Sequence, residues 1–104
     1  TAYRRQRQMC IRDRFARIGG EEFVILLWDT KPSKAQFIAE RIRELVAKTP
    51  MYQPDGSPLS ITVSLGITHQ HAPLSQDLQQ LINTADQALY QAKHLGRNQV
   101  VLAS

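Results

Sequence analysis

The chain has 104 residues, 42% of them hydrophobic, a net charge of +4 and one cysteine, Cys10. That length bounds it to one domain or part of one, with a modest core, and a lone cysteine excludes an internal disulfide framework and a multi-cysteine metal site. No apolar run approaches the length of a membrane span, and no apolar segment follows the basic start as it would in a signal peptide.

The positive balance would suit an anionic partner. However, Arg4, Arg5, Arg7, Arg12 and Arg14, five of the thirteen basic residues, lie in the first fourteen positions. With only Tyr3 interleaved among them, they are weak grounds for nucleic-acid binding. Residues 1–14 have no clean period and read as a disordered, linker or foreign segment, with a basic arm as the functional alternative.

Phe15 to Ile18 forms the first arm of a hairpin. Gly19-Gly20 follows, and glycine reaches positive φ without steric cost, which makes the pair a turn signal. Phe23 to Trp28 has the length and residue types of a strand buried on both faces. Glu21 and Glu22 are therefore placed at the hairpin tip, where a tight turn breaks strand alternation and lets both carboxylates approach one point. Such a pair suits Mg²⁺, which takes hard oxygen ligands and often only one or two carboxylates besides substrate phosphates. A surface hairpin with solvated acids is the commoner meaning of Gly-Gly, and the four residues alone leave both readings open.

Asp29 to Pro32 is a turn. Ser33 with Gln36 resembles a capping box, and Ala35, Ile38, Ile42, Leu45 and Val46 form an apolar stripe at helical spacing. A helix is predicted from about Ser33 to Lys48, ending before Pro50. Arg41 and Arg43 lie off the stripe on a solvated face. Residues 50–58 carry three prolines and Asp55-Gly56, a turn signal. Leu59 to Ile67 alternates cleanly and predicts a half-buried strand, whose small partners Ser60, Thr62, Ser64 and Gly66 leave space for a helix or a ligand. His69 and His71 lack nearby Cys or carboxylate partners for a metal. A second helix is predicted from near Ser75, with Asp77 placed for the N-terminal dipole and Leu95-Gly96 as a Schellman-type stop. Gln99 to Leu102 is a last short strand. The order strand, strand, helix, strand, helix, strand indicates an α/β or α+β sandwich with helices covering a sheet.

Lys93 and Arg97 flank the end of the second helix. Cations there complement the helix dipole; a pair that clamps a triphosphate is the functional alternative.

Together these residues resemble the GGDEF domain of diguanylate cyclases. Arg17-Ile18-Gly19-Gly20-Glu21-Glu22-Phe23 looks like the signature hairpin in its Gly-Gly-Glu-Glu-Phe form. Thr62 to Ile67 resembles the family's next strand, and Ala85 to Lys93 with Gly96-Arg97-Asn98 resembles its closing helix. The resemblance covers about residues 15–102. It implies an α+β fold related to the palm of nucleotidyl cyclases and polymerases. It also implies GTP as substrate, a homodimer in which two GTP condense to cyclic di-GMP plus pyrophosphate, and Mg²⁺ or Mn²⁺ as the cofactor. Carried over by position, Glu21 is catalytic and binds the metal, Glu22 is a further acid at metal and nucleotide, Gly19 and Gly20 let the nucleotide approach, and Lys93 and Arg97 bind phosphates.

In the family's inhibitory product site, Asp13 falls at the Asp position and Arg41 at a secondary arginine, while Cys10 stands where the primary arginine belongs. That puts product inhibition through the primary site in question. The family's first strand, with a further metal-binding Asp, and its guanine-reading groups have no counterpart in residues 1–14. Residues 15–104 are therefore expected to be a partial domain, the isolated chain to make little or no cyclic di-GMP, and an uncovered sheet edge to limit solubility. A catalytically silent nucleotide receptor or dimerisation module is the alternative within the family; a small basic nucleic-acid binder is the alternative outside it. A cytoplasmic location is expected, with sensor or membrane domains elsewhere in the parent left open.

Overall fold

The hairpin around the double glycine forms as expected and is longer on its first arm. In the computed structural model, which describes residues 14–70 and 76–103, β1 (Arg14–Gly19) pairs antiparallel with β2 (Glu22–Leu26). Arg17 faces Phe23 and Gly19 faces Glu22, so β1 carries one extra residue in the last step before the turn. A bulge of this kind sharpens the local twist and re-aims the strand end. Phe15 and Phe23, diagonal neighbours across the ladder, stack with ring centroids 5.4 Å apart. Phe23 is nonetheless exposed, and Val24 to Leu27 are half-buried. The expectation of a strand buried on both faces is thus corrected: a two-stranded ribbon has too few neighbours to cover both faces of either strand.

The chain divides into two units, Thr1–Lys31 and Pro32–Ser104. The second begins at α1 (Pro32–Lys48). The helix starts at Pro32, one residue before the predicted Ser33-Gln36 capping box. Proline is favoured at a first helical position, where its missing N–H costs nothing and its φ is already helical. Thr49 closes the helix, its N–H donating to the Leu45 carbonyl at 3.0 Å and its hydroxyl to the same oxygen. Pro50 cannot continue the ladder. Ala39 is the buried residue of the inner face. Leu45, at the edge of the predicted stripe, is exposed.

The proline-rich stretch contains a small hairpin that the sequence reading treated as loop. β3 (Met51–Tyr52) pairs antiparallel with β4 (Pro58–Leu59). Asp55 fastens its turn by accepting from the Ser57 hydroxyl at 2.6 Å and the Ser57 N–H at 2.9 Å. Those two bonds hold the exposed Asp55 carboxyl below its ordinary value of 3.8.

The single strand expected over Leu59 to Ile67 is corrected to two short ones. Leu59 ends β4, residues 60–64 join no ladder among the described residues, and β5 is Leu65–Ile67. Alternation records which side chains are buried, but a strand also needs a hydrogen-bonded neighbour for its backbone. β5 finds one in β6 (Val100–Leu102), parallel to it, with Leu65 opposite Val100 and Ile67 opposite Leu102.

A parallel pair needs a long crossover, and α2 (Leu78–His94) supplies it. Asp77 is its N-cap and forms a full capping box with Gln80: the carboxylate accepts from the Gln80 N–H at 2.8 Å, and the Gln80 side chain accepts from the Asp77 N–H at 3.0 Å. Ser75, the predicted start, lies outside the described residues. Ala88 and Ala92 are fully buried where α2 meets the sheet. Gly66 in the middle of β5 lies directly against this helix: a Cβ there would collide with the backbone of Ala85 and Leu89 and come 2.9 Å from the Ala88 carbonyl carbon. Of the two neighbours the small-residue face left open, the helix is the one found. The core of the described residues is therefore built from alanines under close backbone approach. Large apolar groups such as Phe15, Phe37, Tyr52 and Leu95 remain exposed.

Candidate functional site

The hairpin turn holds four of the residues singled out in the sequence. Gly19 and Gly20 have φ of +144° and +48°, which side-chain-bearing residues adopt only under strain. A Cβ built on either would meet nothing within 4 Å. Backbone conformation, not crowding among the described residues, is what requires glycine here. The two acids are not equivalent. Glu21 lies in the turn itself, whereas Glu22 opens β2 opposite Gly19. Both are exposed, and neither takes part in an ion pair among the described residues.

Arg17 braces this turn, a role the sequence reading did not assign. Its Nε and Nη2 donate to the Gly20 carbonyl at 3.0 and 2.7 Å. The fork of the guanidinium thus grips one oxygen with two bonds and fixes the orientation of the Gly20–Glu21 peptide. Such a bond across three residues is invisible as a motif, because arginine before a glycine pair has no fixed meaning until the turn type is known.

Lys93 and Arg97 are brought together at the far end of α2. Lys93 is half-buried in the last helical turn and Arg97 is exposed. The helix stops in the Schellman manner that Leu95-Gly96 predicted: Leu95 is the C-cap, Gly96 has φ +120°, and the Arg97 N–H donates to the Ala92 carbonyl at 3.0 Å. Arg97 is therefore not a helical residue sharing a face with Lys93. It sits two positions past the cap with φ +62°, followed by Asn98 with φ +49°. Neither cation forms an ion pair among the described residues.

Arg43, assigned to a solvated helix face in the sequence reading, is engaged instead. Its guanidinium contacts the Glu40 carboxylate at 3.0 Å and donates to the Asn98 side-chain oxygen at 3.1 Å. Arg41 is exposed as expected, in an open groove of α1 lined also by Phe37, Glu44 and Lys48. Asp13, Cys10 and His71 lie outside the described residues, and His69 is half-buried.

The donor set fits a metal that arrives with phosphates better than a dedicated cage. Among the described residues no group of three or more His, Cys, Asp or Glu gathers around a point. Glu21 and Glu22 supply two carboxylates, the number Mg²⁺ commonly takes when substrate oxygens and water complete its shell. No helix among the described residues is long and apolar enough to cross a membrane.

The sequence model of the family described as diguanylate cyclase, GGDEF domain, matches residues 3–99. The matched stretch begins inside the segment that the composition set apart. Among curated relatives, the chain is 41% identical over 92 residues to diguanylate cyclase A of Treponema denticola, covering 88% of this chain and 24% of that protein. It is 48% identical over 88 residues to YhcK of Bacillus subtilis, a protein of uncharacterised function, covering 85% and 24%. The chain thus spans about a quarter of the length of these relatives. Among solved structures, it matches the GGDEF domain of DgcB from Caulobacter crescentus, solved with c-di-GMP, with a TM-score of 0.85 and 30% identity over 99% of this chain and 58% of that one. It matches an active GGEEF domain of a diguanylate cyclase from Vibrio cholerae with a TM-score of 0.76 and 30% identity, over 99% and 64%.

An α+β chain with an open Gly-Gly-Glu-Glu turn and a cationic helix end is, on these matches, a member of the GGDEF domain family of diguanylate cyclases. The fold expected from the sequence is the fold of these domains.

Proposed function

We propose that this chain carries the signature turn and the phosphate-binding helix end of a diguanylate cyclase, which condenses two GTP into cyclic di-GMP and two pyrophosphates. The observation that carries the reading is the turn: two glycines in conformations other residues avoid, no described atom within 4 Å of a Cβ built on either, and two exposed carboxylates that form no ion pair among the described residues. A turn kept only for chain reversal does not need paired acids beside two such glycines. The Vibrio cholerae domain described as active carries the same Gly-Gly-Glu-Glu-Phe signature.

In this reading Gly19 and Gly20 admit the nucleotide to the backbone. Glu21 accepts the proton of a GTP 3′-hydroxyl as that oxygen bonds the α-phosphorus of a second GTP. The bond from that phosphorus to the bridging oxygen breaks, and pyrophosphate leaves. Two facing domains each supply one GTP, so the reaction needs a homodimer. Mg²⁺ or Mn²⁺ held by Glu21 and Glu22 would neutralise charge on the phosphates as the displacement proceeds. Lys93 and Arg97 bind the phosphate oxygens through charge-assisted hydrogen bonds. Arg41 with Asp13 is the remnant of an inhibitory product site.

Calorimetric titration of the full chain with GTP tests the site. Binding is expected in Mg²⁺ and lost in chelator. Glu21→Gln with Glu22→Gln is expected to remove the metal dependence, and Arg97→Ala to weaken Mg²⁺·GTP about tenfold or more, the worth of one charge-assisted bond. Metal dependence that survives loss of both carboxylates would overturn the reading. Chromatography of the same mixtures is expected to show little or no cyclic di-GMP from this chain alone, and robust product would refute that expectation.

A further inference from the structure

Arg97 stands in a backbone conformation that its own side chain does not favour. A left-handed arginine directly before a left-handed asparagine, φ +62° and +49°, persists only when its surroundings over-determine it. Four hydrogen bonds do so here. The Arg97 N–H reaches back to the Ala92 carbonyl at 3.0 Å. The Gln99 side-chain amide donates to the Arg97 carbonyl at 3.2 Å. The Asn98 N–H donates to the Ser64 hydroxyl oxygen at 3.1 Å, across 34 residues of sequence. The Asn98 side-chain oxygen accepts from Arg43 at 3.1 Å, across 55. Arg43 itself is largely covered, with its side chain 22% exposed and anchored on Glu40. The first two bonds are local, and the first of them is the defining bond of a Schellman ending. The last two are long-range and tie the turn to α1 and to the residue before β5.

We infer that Ser64 and Arg43 are positioning residues that act through Asn98 to hold Arg97 beyond the end of α2, where its side chain is available to a phosphate. The inference rests on the proposed phosphate role of Arg97. Arg43 supplies the turn with a charged donor that is already neutralised by Glu40, so it fixes the loop without competing for the anion. Ser64 is one of the small residues beside Gly66, and its hydroxyl oxygen is the acceptor that holds the Asn98 N–H in place.

The test uses the full chain and two readouts. Ser64→Ala deletes the acceptor for the Asn98 N–H, and Ser64→Thr retains a hydroxyl. Asn98→Gly keeps a residue at ease with positive φ but deletes the oxygen that Arg43 grips. Amide hydrogen exchange at residues 97 and 98 is expected to quicken about tenfold in Ser64→Ala and Asn98→Gly while α1 and the middle of α2 keep their protection. Ser64→Thr is expected to stay near wild type. In parallel, Mg²⁺·GTP titration is expected to show about fivefold weaker binding in Ser64→Ala, and no further loss when Ser64→Ala is added to Arg97→Ala. A loss that adds fully to that of Arg97→Ala, or exchange at 97 and 98 that does not change, overturns the inference. If Arg97→Ala leaves GTP affinity intact while exchange changes as expected, the phosphate reading falls and the lock on the backbone stands.

Discussion

Gly66→Ala is the sharpest perturbation the structure offers, because it adds one methyl group where β5 meets α2. In an open position, alanine for glycine stabilises a protein by about 0.4–1 kcal/mol through the unfolded chain. Here the new Cβ would collide with the backbone of Ala85 and Leu89 and lie 2.9 Å from the Ala88 carbonyl carbon. None of these is the tip of a side chain that can swing away. Relief requires α2 to move off the sheet, and the helix carries Ala88 and Ala92, two of the three buried hydrophobic residues among those described. Overpacking of this kind costs about 1–3 kcal/mol, and a rigid backbone partner places the site at the upper end. The net loss expected is about 2 kcal/mol, which for a domain of this size lowers the melting temperature by about 8–16 °C. Thermal unfolding followed by far-UV circular dichroism measures it. An unchanged or raised melting temperature would show that β5 does not rest on the helix backbone at Gly66.

Asp77→Ala removes the capping box of α2 and is expected to cost about 1 kcal/mol, read as a lower denaturant midpoint with an unchanged slope. Arg17→Ala releases the Gly20 carbonyl from both its bonds. It is expected to raise amide exchange in the hairpin turn, and unchanged exchange there would show that the guanidinium does not brace it. The Asp55 carboxyl is held below its ordinary value by Ser57, so the ionised form stabilises the turn between β3 and β4. That contribution is present above the unfolded value of 3.8 and is lost as pH falls through the lowered folded one. Exchange of the Ser57 amide, corrected for intrinsic rates, should rise over that window in wild type and show no such step in Asp55→Asn.

Local chemistry was legible wherever a residue acts on its near neighbours. The glycine pair specified a hairpin, Leu95-Gly96 a helix stop and Asp77 a helix start, because φ preference and capping span only a few positions. The signature turn was legible only through its resemblance to the GGDEF motif, since the four residues alone left a solvated surface hairpin open. Chain pattern was less informative about pairing. Leu59 to Ile67 alternates without interruption, yet only Leu65–Ile67 joins β6, since alternation encodes faces and not partners. Arg43 reads as a solvated helix residue until the fold sets Asn98 beside it.

By itself, then, the sequence of this GGDEF domain determined its hairpin turn and its helix limits to within a few residues, while family resemblance named the side chains proposed to bear its chemistry. The turn and the helix limits follow from backbone preference and spacing over a handful of bonds. Only the tertiary structure decided that Glu21 occupies the turn while Glu22 begins a strand, that Gly66 exists to admit a helix, and that Arg97 is held left-handed by Ser64 and Arg43 through Asn98. Each depends on atoms brought together by chain folding, across a bulged ladder or across tens of residues, where no periodicity in the sequence reaches.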